Sequence, residues 1–298
     1  MTPWIIRTVV GLSLSAAAIG AEPTLQRQIR LTAEVQSSVD PISQIQRVFG
    51  KASIQSPDHF EKNHTGFDHI QIGEAPQVGG FFKFYLHRDL DGDRNKSRDE
   101  TDRQRNEIMG YGGSDEGLKA THGQVARYQW LFRPDSRMDV TPQFCHFFQL
   151  KGVGGENASN PFFTLTGAKS NGRKQLELRY WESEQHSAKK FPIAKWSSIA
   201  GQWLHCECVV DYRNNGSFRM SISQLEGKHL FQIELDSLRT WREGIEFVRP
   251  KWGIYRSLAK AQLIPNEEDS TDFANFLIEE WLGNASDVWL ATTRPASP

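Results

Sequence analysis

Three short stretches combine cations, an amide and a phenol at the two-residue spacing that brings side chains to one face of an extended strand. In the first, Arg103, Arg105 and Glu107 share a face and Asn106 sits between them. In the second, Phe147, Gln149 and Lys151 share a face. In the third, Phe247, Arg249, Lys251 and Tyr255 lie on one side of a strand whose other side carries Val248, Trp252 and Ile254. One side of that strand is apolar and the other is cationic with a phenol. Such a strand suits a sheet that packs a core on one face and grips an anion on the other.

The order and wide spacing of Arg105-x-Glu107, Gln149-x-Lys151 and Lys251-x-Gly253-x-Tyr255 resemble the jelly-roll polysaccharide lyases. In the alginate lyases of that group the matching motifs read Arg-Ser/Thr-Glu-Leu-Arg, Gln-Ile-His and Lys-Ala-Gly-x-Tyr. The longer strings HRDLDGDR at 87–94, DRQRNEI at 102–108 and RPKWGIYRS at 249–257 look closer to the glucuronan lyase group. The resemblance spans most of the chain beyond residue 80. It implies an all-β jelly-roll sandwich of two antiparallel sheets with a substrate groove. It also implies β-elimination on a 4-linked uronic-acid polymer, glucuronan first and alginate or heparin-type glycans next, leaving 4,5-unsaturated uronate ends. No cofactor is required for that chemistry, although a structural calcium would be in keeping with the fold.

The residues fit the reaction that the resemblance implies. The proton on carbon 5 of a uronate is barely acidic, because its removal places a second negative charge beside the carboxylate. Arg105, a planar fork, is the candidate to pair with that carboxylate, and Gln149 the candidate donor to the oxygen on which charge develops. Tyr255 is the candidate for proton transfer. In glucuronate the carbon-5 proton and the leaving oxygen on carbon 4 lie on one side of the ring, so one phenol can take the proton and return it. His87 is a second candidate base, kept neutral by nearby cations. Arg103, Asn106, Glu107, Lys151, Arg249 and Lys251 are the candidate substrate contacts. Plainer roles stand beside these: Arg105 and Glu107 can simply pair with each other, and Gln149 can be a satisfied inner polar residue. Lys151 stands where the alginate lyases carry His, and His146 is expected on the buried face of its strand. A lectin-like module that holds an acidic glycan without cutting it is the alternative function. A hydrolase ranks last, because Glu107 has no evident second carboxylate.

The elements that must position these residues read as strands. Phe82, Phe84 and Leu86 alternate with Lys83, Tyr85 and His87, and Leu176, Leu178 and Tyr180 with Glu177, Arg179 and Trp181. Further strands are expected at 128–133, 162–165, 203–211, 217–224, 230–235 and 273–278, separated by turn signals such as Asn171-Gly172 and Asn215-Gly216. Residues 1–21 have the pattern of a secretory signal, with Arg7, an apolar run and small residues, so an exported protein is expected. Residues 22–65 read as a polar lead-in with a short helix opened by Asp40-Pro41, and 66–298 as the jelly-roll domain. A formal charge of −1 gives no case for nucleic acid, and no apolar run is long enough to predict a membrane helix. A monomer is expected. Cys145, Cys206 and Cys208 are too few for a disulfide scaffold; buried thiols are expected, with a bridge from Cys145 as the alternative. Asp89, Asp91 and Asp93 invite a calcium reading, but the Gly falls at the fourth position and not the sixth, so they do not form an EF-hand loop.

Overall fold

Alternation of large apolar and polar side chains produces two antiparallel sheets that face each other across an aromatic core. The structure is a computed structural model and describes residues 22–293. The expected export signal lies outside the described residues. In chain order the strands are β1 (Thr24–Leu31), β2 (Ile54–Gln55), β3 (Ile70–Ala75), β4 (Gly79–His87), β5 (Arg103–Met109), β6 (Val125–Pro134), β7 (Cys145–Val153), β8 (Phe163–Ser170), β9 (Arg173–Tyr180), β10 (Lys189–Lys195), β11 (Leu204–Asp211), β12 (Gly216–Gln224), β13 (His229–Leu238), β14 (Phe247–Ser257) and β15 (Glu268–Leu282). Helix α1 (Pro41–Phe49) lies between β1 and β2, and α2 (Ala285–Thr293) follows β15.

One sheet runs β13-β12-β11-β6-β15-β4-β3, with β1 also paired to β15; the other runs β10-β9-β8-β7-β14-β5-β2. This is the expected jelly-roll-like sandwich, in which consecutive hairpins such as β8–β9 and β11–β12 are joined by long-range pairs such as β7–β14 and β14–β5. Phe82, Phe84, Phe132, Phe273 and Phe276 of the first sheet meet Phe147, Phe148 and Trp252 of the second, all essentially unexposed. Trp130 lies 4.3 Å from Phe148 and Trp252 lies 5.2 Å from Phe276, ring centre to ring centre. Burying such rings is worth roughly 1.5–3 kcal/mol each and anchors the two sheets together. The Asn171-Gly172 turn is a tight hairpin between β8 and β9, with both residues at positive φ (49° and 78°).

The polar segment 22–65 packs into the sandwich. Its strand β1 pairs with the second half of β15, and β2 pairs with β5, so it contributes to both sheets. Strand β15 makes room for this with a bulge between Ala274 and Leu277, changing partner from β4 to β1. Helix α1 starts as the sequence indicates: Asp40 accepts from the Ser43 N–H at 2.9 Å and Pro41 follows it. All three cysteines are buried free thiols, and Cys145 is not bridged.

Candidate active site

The three stretches become adjacent central strands of the second sheet, in the order β7-β14-β5. Tyr255 stands across from Arg105 on one side and His146 on the other, Lys251 across from Gln149, and Arg249 across from Lys151. The face predicted for β14 is correct: Val248, Trp252 and Ile254 enter the core. The face predicted for β7 is correct only in part. Between His146 and Phe148 the pairing with β8 slips by one residue, and Phe147 and Phe148 both turn into the core. This bulge puts His146, expected on the buried face, onto the outer face with Gln149 and Lys151. The neighbouring strand bends with it at Gly253, where φ is 137° and a Cβ would lie 2.1 Å from the Asn106 carbonyl oxygen.

Glu107 sits fully buried beneath this face and organises it. Its Oε2 accepts from Arg105 Nη1 at 2.7 Å and Lys251 Nζ at 2.6 Å, and its Oε1 accepts from Gln149 Nε2 at 2.5 Å. Burial pushes the carboxyl pKa up, but Lys251 and Arg105 outweigh that and hold it below the ordinary carboxylate range. Arg105 is committed further: Nε donates to Asp93 Oδ1 at 2.7 Å, and its guanidinium carbon lies over the Tyr255 ring, 3.8 Å from its centre. Gln55 of β2 accepts from Lys251 Nζ at 3.0 Å. This contact comes from a segment in which the sequence shows no chemistry.

Above this layer lies a cavity of about 380 Å³ whose lining includes Tyr255, His146 and Gln149. Its charged lining consists of Arg94, Arg103, Arg105, Lys151, Arg179, Arg249 and Lys251, with no Asp or Glu. Arg103 Nη1 donates to the Tyr255 hydroxyl oxygen at 3.0 Å. A guanidinium cannot accept, so the phenol's own hydrogen points away from Arg103. Arg249 donates Nη1 to the Gly110 carbonyl at 3.2 Å, has a buried Nε without a partner, and makes no ion pair among the described residues. Lys151 donates to the Ser159 carbonyl, and burial, aided by the Arg105 and Arg249 cations, lowers its pKa to about 8. His146 has its Nδ1 2.8 Å from the Thr166 hydroxyl and its ring 6.0 Å from that of Tyr255. Burial, then the cations of Arg179 and Arg105, push its pKa well below the ordinary imidazole value, so it is neutral at pH 7.

Several sequence expectations are corrected. His87 is at the end of β4 in the other sheet, with ring neighbours His64, Phe67 and His69, and it takes no part in the cavity beside Tyr255. Alternation gave its face correctly but could not say to which sheet the strand belonged. Asn106 faces away from the groove and donates to the carbonyls of His69 (2.7 Å) and Tyr85 (3.0 Å), joining the sheets. Glu107 lies under the cavity and not in its wall, so it is a support and not a substrate contact. Arg105 has its fork turned to Asp93 and Glu107 and not to open space. Asp89, Asp91 and Asp93 diverge, to Arg88, to three histidines and to Arg105, and do not fit a shared calcium.

Comparison of the sequence with protein families finds no match, and neither does comparison with curated proteins. Solved structures do match. The PL-14 alginate lyase from Aplysia kurodai aligns at TM-score 0.51 and 14% identity, over 86% of this chain and 98% of that one. The alginate lyase Aly36B aligns at TM-score 0.54 and 9% identity, over 86% and 97%. An endo-β-1,4-glucuronan lyase from the fungus Trichoderma reesei gives TM-score 0.49 at 14% identity, over 76% and 93%. The first two define the class of fold: a sandwich of the kind found in those lyases. At these identities the likeness extends to the fold alone.

Proposed function

We propose that the chain is a polysaccharide lyase that cuts a uronic-acid polymer by β-elimination, with glucuronan as the first candidate substrate. The observation that carries this reading is that Tyr255, its oxygen held by Arg103, borders on one side a cavity lined by cations without carboxylates, while Asp93, Asp99, Glu100 and Asp102 line the adjoining cavity on its other side. An anionic sugar fits such a lining, and a carboxylate-driven hydrolase does not. The uronate carboxylate meets Arg249, which makes one hydrogen bond and no ion pair among the described residues, and the remaining amide hydrogen of Gln149, with Lys151 beside them. These donors matter most when the carboxylate becomes dianionic. Tyr255 then passes its hydroxyl proton to the oxygen leaving carbon 4 and accepts the carbon-5 proton in its place, as the carbon-5–hydrogen electrons form the carbon-4–carbon-5 double bond and the carbon-4–oxygen bond breaks. Arg105 acts from below as a positioning residue, fixing the Tyr255 ring. His146, beside Tyr255 in the same cavity, replaces His87 as the second candidate base. Export and action as a monomer accompany this proposal.

The test is to incubate the protein separately with glucuronan, alginate and heparin-type glycans and to follow ultraviolet absorbance of the unsaturated product. Absorbance should rise with glucuronan fastest. Tight binding with no product from any polymer would favour the lectin-like alternative.

A further inference from the structure

Away from the groove, His64, His69, His87 and Asp91 bring four potential ligand atoms to within 4.8 Å of one another. We infer that they form a site for a zinc-like first-row divalent cation, independent of the catalytic reading. The three imidazoles are mutually perpendicular, at 90°, 88° and 86°, with centres 4.7–5.3 Å apart. Asp91 Oδ1 lies 3.3 Å from His64 Nδ1 and 3.2 Å from His69 Nε2, and Oδ2 lies 3.3 Å from His87 Nδ1. A tetrahedron with bonds of about 2.0–2.1 Å has edges of roughly 3.3–3.4 Å, and the three separations between Asp91 and the imidazoles are of that length.

The outer contacts agree. His69 turns its other nitrogen, Nδ1, to Asp58 Oδ1 at 2.6 Å, and His87 turns Nε2 to Glu268 Oε2 at 3.3 Å. A carboxylate on the far nitrogen fixes the tautomer and points the lone pair inward, as around protein-bound zinc. His64 supplies the independent sign: its Nδ1 is buried, faces Asp91 and has no hydrogen-bond partner. Three nitrogens and one carboxylate favour zinc-like ions over calcium, which takes oxygen. A neighbouring cavity of about 400 Å³, lined by His64, Asp58 and Phe67, offers a way in. The ion would fasten the 56–69 loop to the end of β4.

The test uses the full chain stripped with a chelator and titrated calorimetrically with Zn²⁺, Co²⁺ or Ca²⁺. One equivalent of Zn²⁺ should bind and raise Tm. Co²⁺ should give the intense visible absorption of tetrahedral coordination, and Ca²⁺ should do neither. His64→Ala, on a partly exposed loop side chain, should weaken Zn²⁺ binding by at least about a hundredfold, and Asp58→Asn by about 10–100-fold, the range for outer-contact losses. Absence of one-to-one Zn²⁺ binding in the wild-type chain would overturn the site. So would unchanged binding in folded His64→Ala.

Discussion

Replacing Glu107 by Gln keeps the side chain's shape and deletes the charge that faces both Arg105 and Lys251. Asp93 still meets Arg105 at 2.7 Å, but Lys251 is left with the neutral Gln55 oxygen at 3.0 Å. Lys251 is 2% exposed, so water cannot compensate it. Breaking a buried ion pair by removing one partner costs about 3–5 kcal/mol. For a domain of this class that lowers Tm by roughly 6–20 °C. Adding Lys251→Met to Glu107→Gln should recover part of the loss, since the second change removes the uncompensated charge. Thermal melts of the four proteins of this cycle measure both effects. The pH dependence has a definite sign: because the folded-state pKa of Glu107 is depressed, its contribution is complete above the ordinary value of 4.5 and disappears as pH falls through the lower folded value. The stability gap between wild type and Glu107→Gln should therefore narrow in acid. Equal stability of the two at neutral pH would refute the view that this carboxylate holds the site together.

Arg249→Ala should lower kcat/KM by about two to three orders of magnitude with folding preserved, the loss expected when one donor to a developing oxyanion is removed; steady-state kinetics on the best polymer checks it. His146→Ala should lower kcat by more than His87→Ala does, because only His146 shares the cavity with Tyr255, and parallel assays at a temperature where both variants are folded decide the order.

Most of the sandwich could be read in the sequence because period-two alternation and Asn-Gly turns are local signals: β4, β9, β11 and the β8–β9 hairpin all follow from them. The face of β14 was legible for the same reason. The face of β7 was not, because a bulge breaks the alternation. Its trace in the sequence is the adjacent pair Phe147-Phe148, two rings that both enter the core, together with Gly253 on the neighbouring strand. Arg105 and Glu107 were legible as a pair, but their depth was not, since burial beneath Lys251 and Gln149 depends on which strands become neighbours. Gln55 and the histidine cluster depend on contacts across loops and sheets, which spacing along the chain does not encode. His64 and His87 are 23 positions apart (87 − 64) yet their rings are 4.7 Å apart.

The proposed elimination turns on proton transfer by the Tyr255 hydroxyl. Tyr255→Phe keeps the ring under which Arg105 is stacked and deletes only the oxygen that Arg103 holds. The decisive measurement is the ultraviolet rate of product formation by this variant on glucuronan, read beside its affinity for an oligoglucuronate. Affinity should stay within a few-fold of wild type while product formation falls to background, since the lost interaction belongs to the transition state. Product formation by Tyr255→Phe at the wild-type rate would contradict it.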